Sequence, residues 1–156
     1  MKLKIIQVGK TKTLHWRSAE KEYLQRIARF TEVQQVVVRD ASLQALKNPA
    51  QIKRIEAKDI LSKLNNQDFF VALDRTGQQM PSTAFAAFLQ EKQQSSAKML
   101  TFVIGGSEGL EASLLNQANL TLFFSEMTFP HEMFKVMLLE QIYRAFTILH
   151  HENYHK

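Results

Sequence analysis

Met99-Leu100-Thr101-Phe102-Val103-Ile104-Gly105-Gly106-Ser107-Glu108-Gly109 carries the reading on which the fold of this 156-residue chain turns. Six uncharged, largely branched or aromatic residues fit a strand buried on both faces, and the halt at paired glycines marks its carboxyl end. Strands of that kind belong to parallel sheets covered by helices on either side. The glycines let backbone approach a ligand closely, with free N–H groups to bind it, at the end of the sheet where such folds hold their ligands. A purely structural glycine turn is the plain alternative.

The alternation continues outward from that strand. Upstream, Leu3 to Val8 reads as a first strand ending at Gly9, and Trp16 to Phe30 as an amphipathic helix with Tyr23, Leu24, Ile27 and Phe30 at helical spacing. Val33 to Val38 is a β-branched strand, Asn48-Pro49 opens a second helix, and Phe69 to Leu73 is a buried strand. Asp74-Arg75-Thr76-Gly77 reads as a turn and Pro81-Ser82 as the start of a third helix. Downstream, a short helix near Leu110–Ala118 precedes a fifth strand, Leu120 to Phe124, and a long helix fills His131 to His150. The expectation is an α/β fold, one domain over residues 1–156, with a mainly parallel sheet and helices on both faces.

Composition narrows the function. With no cysteine, disulfide frameworks, thiolate zinc sites and cysteine nucleophiles are excluded, and a reducing, cytoplasmic setting fits. No run approaches the roughly 18–20 apolar residues of a membrane span, and the opening residues are too soon interrupted for a signal peptide, so a soluble, unexported protein is expected. The net charge of +5 is uneven: residues 1–30 carry eight Lys/Arg and two acids, whereas the remainder is near balance. A clustered surplus of this kind points to a polyanion such as RNA, or, in the bland reading, to a solvated helix face.

Several motifs carry chemistry or its absence. Gly105-Gly106-Ser107-Glu108-Gly109 matches the hydrolase nucleophile elbow in form, but no separate oxyanion motif accompanies it. The dinucleotide fingerprint fails because Ser107 stands at its second glycine, and no Walker loop occurs. His151 and His155 are four apart, yet no third metal ligand is evident, and the tail reads as a polar lid or a frayed terminus. The loop Phe124 to His131 mixes rings, a thioether, hydroxyls and a carboxylate, a lining suited to a ligand with an apolar ring and a polar tail. Met133, Val136, Leu139, Ile142, Phe146 and Leu149 spread apolar surface around most of the last helix, more than one sheet face buries, which predicts a homodimer through it. Arg144 stands on that helix four residues after Glu140, either as an intrahelical pair or aimed at an anion.

Taken together, Gly105 to Leu110, Phe124 to His131, Glu140-Gln141-Ile142-Tyr143-Arg144-Ala145-Phe146 and Tyr154-His155-Lys156 form one ordered pattern. From Val8-Gly9-Lys10 to the terminal Tyr-His pair, the chain resembles the ribosomal RNA large subunit methyltransferase H family. The resemblance implies a SPOUT-class fold whose C-terminal segment threads a loop to make a trefoil knot, which no hydrophobic pattern predicts. It implies methyl transfer from S-adenosylmethionine to N3 of a pseudouridine in 23S ribosomal RNA of the assembled ribosome, by a homodimer and without a metal. Carried over by motif, the cofactor pocket uses Leu73, Gly105 and the loop Phe124, Ser125, Glu126, Met127, Thr128 and Phe129.

An imide N–H is a weak acid, so a base or an anion-stabilising charge belongs beside it, with His155, Tyr154, His131 and Arg144 as candidates. On this reading His155 accepts the proton, Arg144 positions RNA or stabilises negative charge, and Tyr154 stands with them. Arg17, Lys21, Arg26 and Arg29 of the first helix acquire the role of tracking phosphates. Two other readings make distinct predictions. A non-catalytic ribosome- or RNA-binding module has no affinity for S-adenosylmethionine, and a serine hydrolase depends on Ser107.

Overall fold

Five parallel strands alternate with five helices in a computed structural model that describes residues 2–43, 48–95 and 98–155. The elements are β1 (Lys2–Val8), α1 (Leu14–Ile27), β2 (Val33–Val38), α2 (Pro49–Leu61), β3 (Asp68–Gln78), α3 (Ser82–Gln94), β4 (Met99–Ile104), α4 (Ala112–Leu115), β5 (Leu120–Leu122) and α5 (His131–Leu149). The sheet order is β2-β1-β4-β3-β5, every neighbouring pair parallel. The apolar run that suggested a doubly covered strand is β4, which lies mid-sheet between β1 and β3.

Period-2 alternation separates two cores. Leu100, Phe102 and Ile104 of β4 face one layer with Leu3, Ile5, Val71 and Leu73, where α1, α3 and α5 pack. Val103 turns the other way to join Ile6, Val8, Phe70 and Ala72 beneath α2 and α4. α5 packs against both α1 and α3. Two buried ion pairs lock the layers. Lys4 donates to Asp68 at 2.7 Å across the amino ends of the strands, and Lys135 of α5 donates to Glu20 of α1 at 2.8 Å and to Gln35 of β2 at 3.0 Å.

Several boundaries differ from expectation for identifiable reasons. α1 starts at Leu14 and stops at Ile27, because Ala28 to Phe30 close it as a turn. The short helix contracts to Ala112–Leu115 and the fifth strand to Leu120–Leu122. At α2, Asn48 accepts from the Ala50 amide at 3.0 Å and Pro49 occupies the first turn, as the Asn-Pro pair implies. The largest departure is β3. The expected turn Asp74–Gly77 is instead part of the strand, which runs on to Gln78; the Asp74 carboxylate accepts from the Thr76 amide and hydroxyl at an irregularity in the pairing, where Gln78 pairs with Leu122, which already pairs with Leu73. β5 is thus flanked twice by one strand. Gly77 permits this: a Cβ there would lie 2.6 Å from the Thr121 carbonyl carbon and oxygen.

Candidate functional site

The carboxyl ends of the strands gather the chain's unusual loops at one end of the sheet. Ile104, the last residue of β4, pairs with Leu73, and Leu73 pairs with Leu122, so Leu73, Gly105 and the segment after Leu122 leave three adjacent strands side by side. Leu73 is buried, Gly105 half-buried, and Glu126, Met127 and Thr128 are exposed, Met127 at 76%. Gly106 to Gly109 form a tight turn in which the Gly109 amide donates to the Gly106 carbonyl at 3.0 Å. The Ser125 hydroxyl accepts from the Met127 amide at 3.0 Å, while the amides of Phe124, Ser125, Glu126, Thr128 and Phe129 have no hydrogen-bond acceptor among the described residues. Free donors beside an apolar row and the Phe124 ring, itself packed on Phe134 at 5.1 Å, suit a ligand with a heteroaromatic ring and anionic or carbonyl oxygens.

A second cluster builds on α5. Glu140 Oε1 accepts from Arg144 Nη2 at 2.5 Å, from Arg144 Nε at 3.0 Å and from the Tyr154 hydroxyl at 3.1 Å; its Oε2 accepts from Gln141 at 2.7 Å. The Arg144 guanidinium lies over the Tyr154 ring at 4.8 Å, and its Nη1 stands 3.4 Å from His155 Nδ1. The structure therefore brings Arg144, Tyr154 and His155 together, and adds Glu140, which the sequence reading treated only as a pairing partner. The signal for Glu140 was its i,i+4 spacing to Arg144. The hydrogen bond to Glu140 raises the Arg144 pKa against burial, and Tyr154 is driven far above a normal phenol by burial, its bond with Tyr23 and the Glu140 charge.

The tail is folded, not frayed. The His151 amide donates to the Ile148 carbonyl and the Glu152 amide to the Thr147 carbonyl, with His151 in left-handed conformation at φ 55°, the pattern of a Schellman stop. Glu152 then binds Arg29, in the turn that closes α1, at 2.5 Å, and Tyr154 meets Tyr143 edge-on at 4.8 Å. Among the described residues no three metal-ligating side chains converge.

The basic residues of α1 divide in two. Arg26 pairs with Glu22 and lies over the Tyr23 and Tyr143 rings, and Arg29 donates to Tyr143 at 3.2 Å as well as to Glu152. Arg17 and Lys21 are exposed, with no ion pair among the described residues. His131, a candidate base in sequence, is used structurally: its Nε2 donates to the Val8 carbonyl at 2.9 Å, while Glu132 accepts from the Lys12 amide at 2.5 Å. Ser107 is exposed and touches no histidine among the described residues, so the nucleophile–base pair of a hydrolase is missing. Between α1, α3 and α5 runs an apolar groove of about 510 Å³, lined by Trp16, Tyr23, Phe124, Met133, Val136 and Met137 among others.

A sequence family described as Predicted SPOUT methyltransferase matches residues 1–155. The chain is 41% identical over 160 residues to a protein named Ribosomal RNA large subunit methyltransferase H from Ruminiclostridium cellulolyticum, covering 100% of both chains. It is 43% identical over 159 residues, again with 100% coverage of both, to the protein of that name from Bifidobacterium animalis subsp. lactis. In fold it is similar to a probable methyltransferase from Bordetella pertussis, at TM-score 0.57 and 10% identity over 92% of this chain and 93% of that one. A probable methylase family protein from Haemophilus influenzae gives TM-score 0.56 at 11% identity over 99% and 70%. Matched from end to end, with the loops of the motif at three adjacent strand ends, the chain belongs to the SPOUT methyltransferases, in the ribosomal RNA large subunit methyltransferase H family.

Proposed function

We propose that the protein uses S-adenosylmethionine to methylate N3 of a pseudouridine in 23S ribosomal RNA within the assembled ribosome. The observation that carries this reading is the convergence of Leu73, Gly105 and the Phe124–Phe129 loop at neighbouring strand ends, where loop amides without acceptors among the described residues stand beside apolar side chains. When bound, the cofactor supplies an electrophilic methyl group. The chain's own residues do the rest: the loop amides and Phe124 hold and orient the ligand, and proximity to the base lowers the entropic part of the barrier.

At the α5 cluster, Glu140 fixes the Arg144 fork, and the guanidinium faces His155. An RNA base entering there meets a cation that stabilises the N3 anion and an imidazole that takes up its proton. Tyr154, held protonated, donates to Glu140 and keeps the fork in place instead of serving as base. Arg17 and Lys21 are the cations of α1 free to meet phosphate, whereas Arg26 and Arg29, expected beside them, are engaged with Glu22, Tyr143 and Glu152. The groove along α1 and α5 is covered, on this reading, by a second copy of the chain, since it is apolar and continuous with the half-buried face of α5. On the same reading the segment after β5 is threaded through a loop as the C-terminal trefoil knot of the SPOUT class. The proposed ribosomal substrate puts the action of this single domain in the cytoplasm, and among the described residues no helix is long and apolar enough to cross a membrane.

The test is transfer of labelled methyl from S-adenosylmethionine to intact ribosomes, free large subunits and naked ribosomal RNA from cells lacking the enzyme, with the nucleoside identified by mass spectrometry. Label on a 23S pseudouridine in intact ribosomes alone is the expected result. No label on any substrate from a folded protein overturns the reading.

A further inference from the structure

Glu56, on α2, is 2% exposed, although nothing in the reaction proposed above uses it. Its Oε1 accepts from the Ala41 amide at 3.0 Å, in the turn that follows β2. Its Oε2 has no hydrogen-bond partner among the described residues. Both oxygens point at one place: a Cβ built on Gly106 would stand 2.9 Å from Oε2, 3.1 Å from Oε1 and 3.0 Å from Val8 Cγ1. A side chain at Gly106 would therefore have to displace the Glu56 carboxyl. The space is taken by a carboxyl group rather than by the apolar side chain that a buried layer of Val8, Ala57 and Val103 would favour.

We propose that Glu56 is a positioning residue: its buried carboxyl is the floor on which Gly106 rests, joining the turn after β2 to the glycine turn after β4 and holding Gly105 in place for the cofactor. The inference rests on the S-adenosylmethionine reading of that turn and names a residue outside the family motif. A buried carboxyl with one oxygen unpartnered is costly, and burial, Asp40 and Glu108 all push its pKa up, against the pull of the Ala41 amide. A hydrophobic residue would fill the same volume at less cost. The carboxyl differs in that it binds the Ala41 amide with one oxygen while its other oxygen lies against Gly106, so the two turns move as a unit.

Three variants and two readouts test this. Glu56→Gln keeps the volume and an oxygen for the Ala41 amide, Glu56→Asp keeps the charge but withdraws it by one methylene, and Glu56→Ala removes both. In the ligand-free protein, the Gly109 amide, which donates to Gly106, reports opening of the turn by hydrogen exchange. Glu56→Ala is expected to exchange there roughly tenfold faster, with Glu56→Gln within about threefold of wild type. The KM for S-adenosylmethionine rises in the same order while kcat at saturating cofactor holds, a split that general destabilisation does not produce.

Glu56→Ala that folds and matches wild type in both readouts overturns the proposal. If Glu56→Ala does not fold, the order of the other two decides: Glu56→Gln better than Glu56→Asp supports it, and the reverse overturns it. A wild-type protein that binds no S-adenosylmethionine sinks the cofactor reading, and the exchange arm still decides the role of Glu56.

Discussion

At the α5 cluster, burial and the contacts with Tyr23 and Glu140 set Tyr154 apart from its neighbours Arg144 and His155. Tyr154 holds its proton far above the working range, so Tyr154→Phe should leave the pH dependence of methyl transfer between about pH 6 and 9 unchanged and lower the rate only through a looser Arg144. His155→Ala should lower the single-turnover rate by about 10²-fold or more, the usual worth of a general base, without weakening cofactor binding. Equal losses in both variants would mean that the ring pair acts as a unit. Glu56 makes a second, pH-based prediction. Its pKa is raised from the ordinary 4.5, so the folded state binds its proton more tightly than the unfolded chain does. Its contribution to stability is complete below that ordinary value and is lost as pH rises through the folded value. Glu56→Gln should therefore flatten the fall of Tm with pH above about 4.5, and an identical slope in wild type and variant would refute the assignment. Sequence exposed Arg144, Tyr154 and His155 because a lone arginine on a largely apolar helix and a terminal aromatic pair are conspicuous. It hid Glu140 and Glu56, because an i,i+4 partner and an acid on an amphipathic helix look ordinary until burial and contacts are known.

At the scale of elements, local pattern and tertiary path parted company at β3. The apolar runs of β1 and β4 were legible because both lie inside the sheet and are buried on both faces, and β2, at the sheet edge beside β1, was legible from its β-branched residues. Asp74-Arg75-Thr76-Gly77 reads as a turn from composition, yet the residues lie within β3, with the Asp74 side chain accepting from Thr76 at a pairing irregularity. What no local signal encodes is that the strand runs on and meets Leu122 a second time, since that depends on where β5 arrives from a distant part of the chain. Gly77 marks the place. Gly77→Ala must push its Cβ against the Thr121 backbone, which cannot rotate away as a side chain can, and should cost about 2–3 kcal/mol. Thermal unfolding would register this as a fall of roughly 5–10 °C, and a variant as stable as wild type would show that the close approach at Thr121 is not real. The tail behaves similarly in the opposite direction: its polar, non-periodic sequence gave no sign of order, yet a left-handed His151 turns it back so that Glu152 reaches Arg29 and Tyr154 reaches Tyr143.

For the whole molecule, the decisive property is where the positive charge is free. The surplus in residues 1–30 is the ground for proposing that α1 tracks RNA, but composition treats the cations alike, and the fold does not. Arg26 and Arg29 are bound to Glu22, Glu152 and the Tyr143 ring and hold α1 against α5 and the tail, whereas Arg17 and Lys21 face solvent. Each cation that neutralises a phosphate releases counterions and adds to the slope of log affinity against log salt. Arg17→Glu with Lys21→Glu should therefore weaken ribosome binding, lower that slope by roughly 1–2, and leave Tm and S-adenosylmethionine binding as they are. Arg26→Glu with Arg29→Glu should act differently, releasing the tail that carries Tyr154 and His155, so that the single-turnover rate falls even at low salt, where binding is strongest. Ribosome pelleting across a salt series, paired with single-turnover methyl transfer, distinguishes the two. If both pairs changed only the salt slope, Arg26 and Arg29 would be phosphate contacts and the Arg29–Glu152 link would be dispensable. If Arg17 and Lys21 changed neither, the RNA would approach from another face, and the charge of α1 would be a solvated surface after all.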